Sequence, residues 1–167
     1  MSERRDILNM EVTSGASTIS INLEDDLAFS MDNLNKAFIE QSAKFAYWAT
    51  VSAQAKHAVE AKKLEVDKLE DYLKKTLIGE LDTKVREEMD NNGEKITESK
   101  VQSRIYTHPQ YRATNASLFA LKQELIELQK QYYLLDVGKQ AMEQRKDSLI
   151  SLGALLRSNS ISDVTIK

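Results

Sequence analysis

The stretch LFALKQELIELQKQYYLL, residues 118–135, decides the fold. Within it Leu118, Leu121, Leu125, Leu128, Tyr132 and Leu135 step by three and four in alternation. That spacing lines one side of an α-helix with apolar groups. The steps continue through Lys139, Met142, Lys146 and Leu149, and Leu152 and Leu156 carry the apolar face past Gly153. Upstream, Pro109 is a favoured first-turn residue, because the N–H it lacks would be unsatisfied there anyway. The pattern predicts one helix of more than about 40 residues. Phe119, Ile126, Tyr133 and Leu134 make its apolar stripe wider than a two-helix seam requires.

A second seam precedes it. Phe45, Trp48, Ser52, Ala55, Val59, Lys62, Val66, Leu69, Leu73 and Thr76 repeat the alternation, with Leu34 and Phe38 extending it upstream. The pattern predicts a first helix of roughly 45 residues, about 68 Å at 1.5 Å per residue. It is expected to end near Gly79, followed by a short helix in LDTKVREEMDNNGEK, residues 81–95, and an Asn-Asn-Gly turn. Between the long segments, Thr97 is a candidate N-cap with Glu98 in the first turn. The short helix it starts can run only to about Thr107, because Pro109 biases His108 away from the α region.

These segments predict an all-α protein of two long antiparallel helices, a coiled-coil-like helical hairpin with a short helical insert. Two helices bury too little surface to hold an extended monomer, so self-association is expected. Residues 25–157 form one helical domain in this reading. Residues 1–24 lack a helical period and are expected to be a disordered arm in which TISINL, residues 18–23, forms a strand only against a partner's edge. Residues 158–167 are expected to be a flexible tail. Trp48, Leu121, Leu125, Leu128, Tyr132 and Leu135 are assigned to core or oligomer contacts.

The composition narrows the chemistry. There is no Cys, which removes disulfides, thiolate metal sites and a cysteine nucleophile. His108 beside the only proline has no nucleophile, Gly-rich phosphate loop or HExxH pattern around it, and His57 lies in a solvated stripe. Glu87, Glu88, Asp90, Glu94 and Glu98 lack the alternation and closing Glu of a calcium loop. No enzyme, cofactor or metal is expected. MSERRDILNMEVTSG, residues 1–15, has no apolar h-region and no later run approaches a membrane span, so a soluble cytoplasmic protein is expected.

The formal net charge of -3 hides an uneven distribution. Residues 1–43 carry three bases against eight acids and residues 87–99 one against five, whereas residues 100–157 carry nine bases against five acids. An acidic total therefore leaves polyanion binding by the helical body open. Lys56, Lys63, Lys74, Lys75, Arg104, Arg112, Lys122 and Lys130 are placed to line a groove for a phosphate backbone. Interleaved Glu60, Glu65, Glu70 and Asp71 point the other way, since mixed charge on a long helix usually means a solvated face of i,i+4 pairs. Tyr47, Trp48, Tyr106, Tyr111, Tyr132 and Tyr133 are candidates for base stacking, although Trp48 and Tyr132 fall on the seams.

FAYWATVSAQAKHAVEAKKLEVDKLEDYL (45–73), KITESKV (95–101), HPQY (108–111) and LQKQYYLLDVGKQAMEQRKDSLISLG (128–153) together resemble the UvsY-type recombination mediator family of bacteriophages. The likeness covers about residues 40–155. It implies an all-helical, ring-forming homo-oligomer that binds single-stranded DNA and helps load a RecA-like recombinase onto strands coated by a single-strand DNA-binding protein, in the host cytoplasm. The family's basic Leu-Lys-Ala-Arg segment corresponds to LEDYLKK, residues 69–75, which has acids where that segment is basic. Lys74 and Lys75 are therefore its stand-ins, followed by Lys63, Lys100, Arg104 and Arg112. The competing readings are a scaffolding coiled-coil subunit without a nucleic-acid role, and a regulatory module whose acidic arm docks on a basic partner.

Overall fold

The computed structural model describes residues 9–14 and 17–164, with side chains from residue 20 to residue 158. The described chain is almost wholly helical. Its one sheet is a ribbon of β1 (Asn9–Ser14) and β2 (Ser17–Asn22), antiparallel with Asn9 opposite Asn22 and Ser14 opposite Ser17. This corrects the expectation of a disordered arm: Asn9–Ser14 supplies from within the chain the edge that Ser17–Asn22 needs. The ribbon is then anchored, because the buried Ile21 and Leu23 pack beside Trp48. Residues 1–8 of the arm lie outside the described residues.

Helix α1 (Leu23–Leu27) starts at Asn22, whose Oδ1 accepts the Asp25 N–H at 3.1 Å. Acids at Glu24, Asp25 and Asp26 suit its positive end. A 3₁₀ turn (Met31–Asn33) then leads into α2 (Leu34–Asp71), a π-helical turn (Tyr72–Leu77) and α3 (Ile78–Asn91) without a break. The expected stop near Gly79 does not occur. A Cβ at Gly79 would meet nothing within 4 Å, so that glycine marks neither a bend nor a close approach. The helical run ends where Gly93 takes φ +67°, with Gly93 N–H bonded to the Asp90 carbonyl at 2.9 Å and Glu94 N–H to that of Met89 at 2.8 Å. These paired bonds satisfy the last carbonyls of α3.

Helix α4 (Glu98–Thr107) and α5 (Pro109–Val164) are separated by His108 alone, as the proline requires. Thr97 occupies the N-cap of α4, but its hydroxyl makes no capping bond. Instead His108 caps α5, its Nδ1 accepting the Gln110 N–H at 3.2 Å. Of the expected flexible tail, residues 158–164 are helical backbone and residues 165–167 lie outside the described residues. No proline follows Gly153, and each added residue contributes another helical hydrogen bond.

The described residues fall into two compact units, residues 58–129 and those on either side of that span. In the flanking unit, Trp48 is completely buried with Ile21, Leu23, Val51, Leu135 and Met142, and a smaller cluster joins Leu34, Ala37 and Leu149. Trp48 Nε1–H donates to Asp26 Oδ2 at 2.9 Å, and Lys44 Nζ lies 3.3 Å from Asp26 Oδ1. In residues 58–129 the core is Val66, Leu73, Leu77, Leu81, Val85, Met89, Val101, Ile105 and Leu118, with Leu121 and Leu125 packed against it. Leu128 and Tyr132 are half-buried. Here the buried stripe steps by four from Leu73 to Met89. In an α-helix each step of four overshoots a turn by about 40°. The π-helical turn takes back part of that rotation, since Ile78 N–H bonds the Leu73 carbonyl five residues earlier and the turn is wider.

A Cβ on Gly138 would lie 2.2 Å from Trp48 Cζ3. Gly138→Ala should therefore lower the melting temperature. The helix propensity gained is about 1 kcal/mol, while overpacking against a rigid indole costs about 1–3 kcal/mol. Thermal denaturation followed by circular dichroism checks this; an unchanged or higher melting temperature would contradict the contact.

Candidate nucleic-acid interface

Lys74 and Lys75, the first-ranked residues from sequence, both sit in the π-helical turn. Their side chains are exposed, and each is paired one turn back: Lys74 Nζ to Glu70 Oε1 at 2.6 Å and Lys75 Nζ to Asp71 Oδ1 at 2.5 Å. Glu70 is shared. Its second oxygen lies 3.3 Å from Lys122 Nζ on α5, so one carboxylate gathers Lys74 and Lys122 at one place. The Lys74 hydrogen bond, then that of Lys122, holds the Glu70 carboxyl below its ordinary range, and Glu70 in turn raises the Lys74 ammonium above its own. Glu70 and Lys74 are both charged at neutral pH. Such solvent-screened pairs are weak and leave the cations available to a stronger anion.

The other sequence candidates separate into two groups. Arg104 is engaged, its Nη2 donating to both Glu94 carboxylate oxygens at 2.8 Å. Lys63, Lys100 and Arg112 are exposed and make no ion pair among the described residues. Two neighbours are committed to intramolecular bonds. Lys62 bridges Glu65 at 2.8 Å and Glu124 at 2.9 Å, Glu65 being the larger cause of its raised pKa. Arg86 bridges Asp82 at 2.7 Å and Glu98 at 2.6 Å, and Asp82 first, then Glu98, raises its pKa further. Glu94 and Glu98 of the acidic segment are thus partners of arginines, and no group of three potential metal ligands occurs among the described residues.

The aromatic candidates also divide. Trp48 is interior. Tyr106 is exposed and meets the half-buried Tyr111 edge-on, 5.2 Å between ring centroids, at the His108 break. Tyr133 and Tyr47 are exposed, and Tyr132 is half-buried. Sequence reasoning passed over Tyr72, exposed in the same π-helical turn as Lys74 and Lys75. The helical period had assigned that turn no special geometry.

Comparisons with protein-family models, curated proteins and solved structures found no match. Among the described residues no helix is long and apolar enough to cross a membrane.

Glu70 accounts for the local electrostatics, and its titration tests them. A lowered folded-state pKa means that the pairing is fully present above the ordinary carboxylate range and is lost only as pH falls through the lowered value. In a carboxyl-resolved NMR titration Glu70 should titrate below an unpaired glutamate. Lys74→Met should move it upward towards the ordinary value, and a Glu70 midpoint unaffected by that change would refute the arrangement.

Proposed function

We propose that this chain is a recombination mediator of the phage type, one that binds single-stranded DNA as a homo-oligomer and helps load a RecA-like recombinase onto strands coated by a single-strand DNA-binding protein. The observation that carries this reading is the convergence of Lys74, Lys75 and Lys122 around the π-helical turn, with Tyr72 exposed beside them. Cations track a phosphate backbone, and an exposed ring offers a base its face without reading sequence. The resemblance of residues 40–155 to UvsY-type mediators points the same way.

The hairpin belongs to this reading as well. It is supported by the order of partners inside each unit: Phe38 lies near Gly153, Gln41 bonds Met142 and Ser52 bonds Asp136, while Lys62 pairs with Glu124 and Glu70 with Lys122. Partner numbers fall on α5 as they rise on α2. One subunit offers few uncommitted cations, so affinity comes from repetition. In a ring each further subunit contacts a strand already held, and a modest site becomes strong through effective concentration. The oligomer contact is assigned to α5, where Phe119, Ile126, Tyr133 and Val137 are exposed. Leu135 is fully buried within its own unit and serves the core. The scaffolding reading shares the helices and the assembly, and differs only in predicting no strand binding.

Two measurements test the proposal. In a gel shift or anisotropy titration with oligo-dT, Lys74→Glu with Lys75→Glu should weaken binding at least tenfold, and Glu70→Gln, which releases Lys74 and Lys122, should strengthen it. Wild-type affinity in the double variant would sink the assigned site, and failure of the wild type to bind would leave the scaffold. In light scattering, Phe119→Asp with Ile126→Asp should reduce the mass of the assembly while the circular dichroism of the helices persists; an unchanged mass would remove α5 from the interface.

A further inference from the structure

Arg145 is 4% exposed, yet its charge has no carboxylate partner among the described residues. Arginines so far removed from water are ordinarily paired with an acid. Here Nε–H donates to the Leu27 carbonyl at 3.2 Å, Nη1 donates to Gln41 Oε1, and the guanidinium carbon lies 5.4 Å from the centre of the Phe29 ring. All three partners are neutral. The nearby acids have other partners: Glu40 lies 3.7 Å from Lys36, Asp26 holds Lys44 and Trp48, and Asp25 Oδ2 accepts from Asn22 Nδ2 at 2.7 Å.

Nη2 makes no hydrogen bond. Because no buried side-chain nitrogen or oxygen among the described residues lacks a partner, Nη2 is not sealed in: solvent reaches it. Arg145 lines a cavity of about 420 Å³ at the start of α2 together with Phe29, Lys36, Lys44, Asp25 and Glu40. Lys36 faces Glu40 and Lys44 faces Asp26, so among the described lining residues the guanidinium is the cation with no ion-pair partner. One unpaired guanidinium suits a singly charged group; a phosphate dianion would add a second charge facing Asp25 and Glu40. The planar guanidinium matches a carboxylate in shape and hydrogen-bonding direction, and the Phe29 ring offers an apolar wall to whatever carries it.

We propose that this cavity is a carboxylate-binding site with Arg145 Nη2 as its principal donor, filled either by an acidic side chain of a peptide or by a small free carboxylic acid. The site involves none of the residues assigned to DNA, so it stands or falls separately from the mediator reading.

The test is calorimetry on the full chain with four probes: sodium acetate, inorganic phosphate, an N-acetylated and C-amidated pentapeptide with one central aspartate, and its asparagine counterpart. Acetate and the aspartate peptide should compete for one site per chain, with the asparagine peptide at least about tenfold weaker, the consequence of losing a charge-assisted hydrogen bond. The aspartate peptide binding more tightly than acetate assigns the site to a peptide; equal or tighter acetate assigns it to a small acid. Arg145→Gln should weaken the carboxylate probes by about tenfold or more. Since that variant removes a buried group, Glu40→Gln provides an independent arm: it deletes an opposing charge, releases Lys36, and should tighten acetate severalfold, which unfolding cannot mimic. No carboxylate binding, phosphate bound more tightly than acetate, equal binding of the two peptides, unchanged affinity in a folded Arg145→Gln, or no tightening in Glu40→Gln would each overturn the proposal.

Discussion

The indole of Trp48 lying against the bare backbone of Gly138 sets how closely α2 and α5 approach in their unit. A glycine is required there because the ring occupies the space of a side chain. Once the ring is seated, its N–H must find an acceptor, since a buried donor left unpaired costs about 1–3 kcal/mol. Asp26 supplies the acceptor and Lys44 balances its charge, which fixes α1 on α2. The placement of α1 brings Ile21 and Leu23 into the same core and turns the Leu27 carbonyl towards Arg145. The cavity at the start of α2 thus follows from the packing of one aromatic ring.

In residues 58–129 the governing constraint is rotational. Apolar residues spaced by four cannot remain on one side of a long straight α-helix, yet Leu73, Leu77, Leu81, Val85 and Met89 are all buried. The wider turn at Tyr72–Leu77 reconciles the two by absorbing rotation where the stripe begins to drift. The same turn carries Lys74 and Lys75 outward, and Glu70, one turn earlier, collects Lys122 from α5.

The long helices were legible in the sequence because their seams are periodic: Trp48, Val66, Leu73, Leu118, Leu135, Met142 and Leu149 are buried as their spacing predicts. The His108 break was legible because proline acts locally. What escaped depended on partners distant in sequence. Continuity through Gly79 rests on the core of residues 58–129, which outweighs the roughly 1 kcal/mol helix penalty of a glycine. Strand formation at Ser17–Asn22 required an edge whose location no local pattern reveals. Lys122 gains its significance from Glu70, and Arg145, one residue before the expected seam position Lys146, is interior because Gln41 and Leu27 meet it. Period alone cannot distinguish these two neighbours.

The functional reading depends on whether the cations at the π-helical turn hold a strand or merely solvate a helix face. A helix face of mixed charge can serve either purpose, and the two differ in the ions they displace. Counterion release separates them, because displacement of ions from a polyanion makes the logarithm of affinity fall linearly with the logarithm of salt concentration. The decisive measurement is oligo-dT affinity of the assembled protein across a salt series. The account predicts a steep negative slope that becomes shallower when Lys74 and Lys75 are neutralised; a flat dependence, or a slope indifferent to those two lysines, would contradict it.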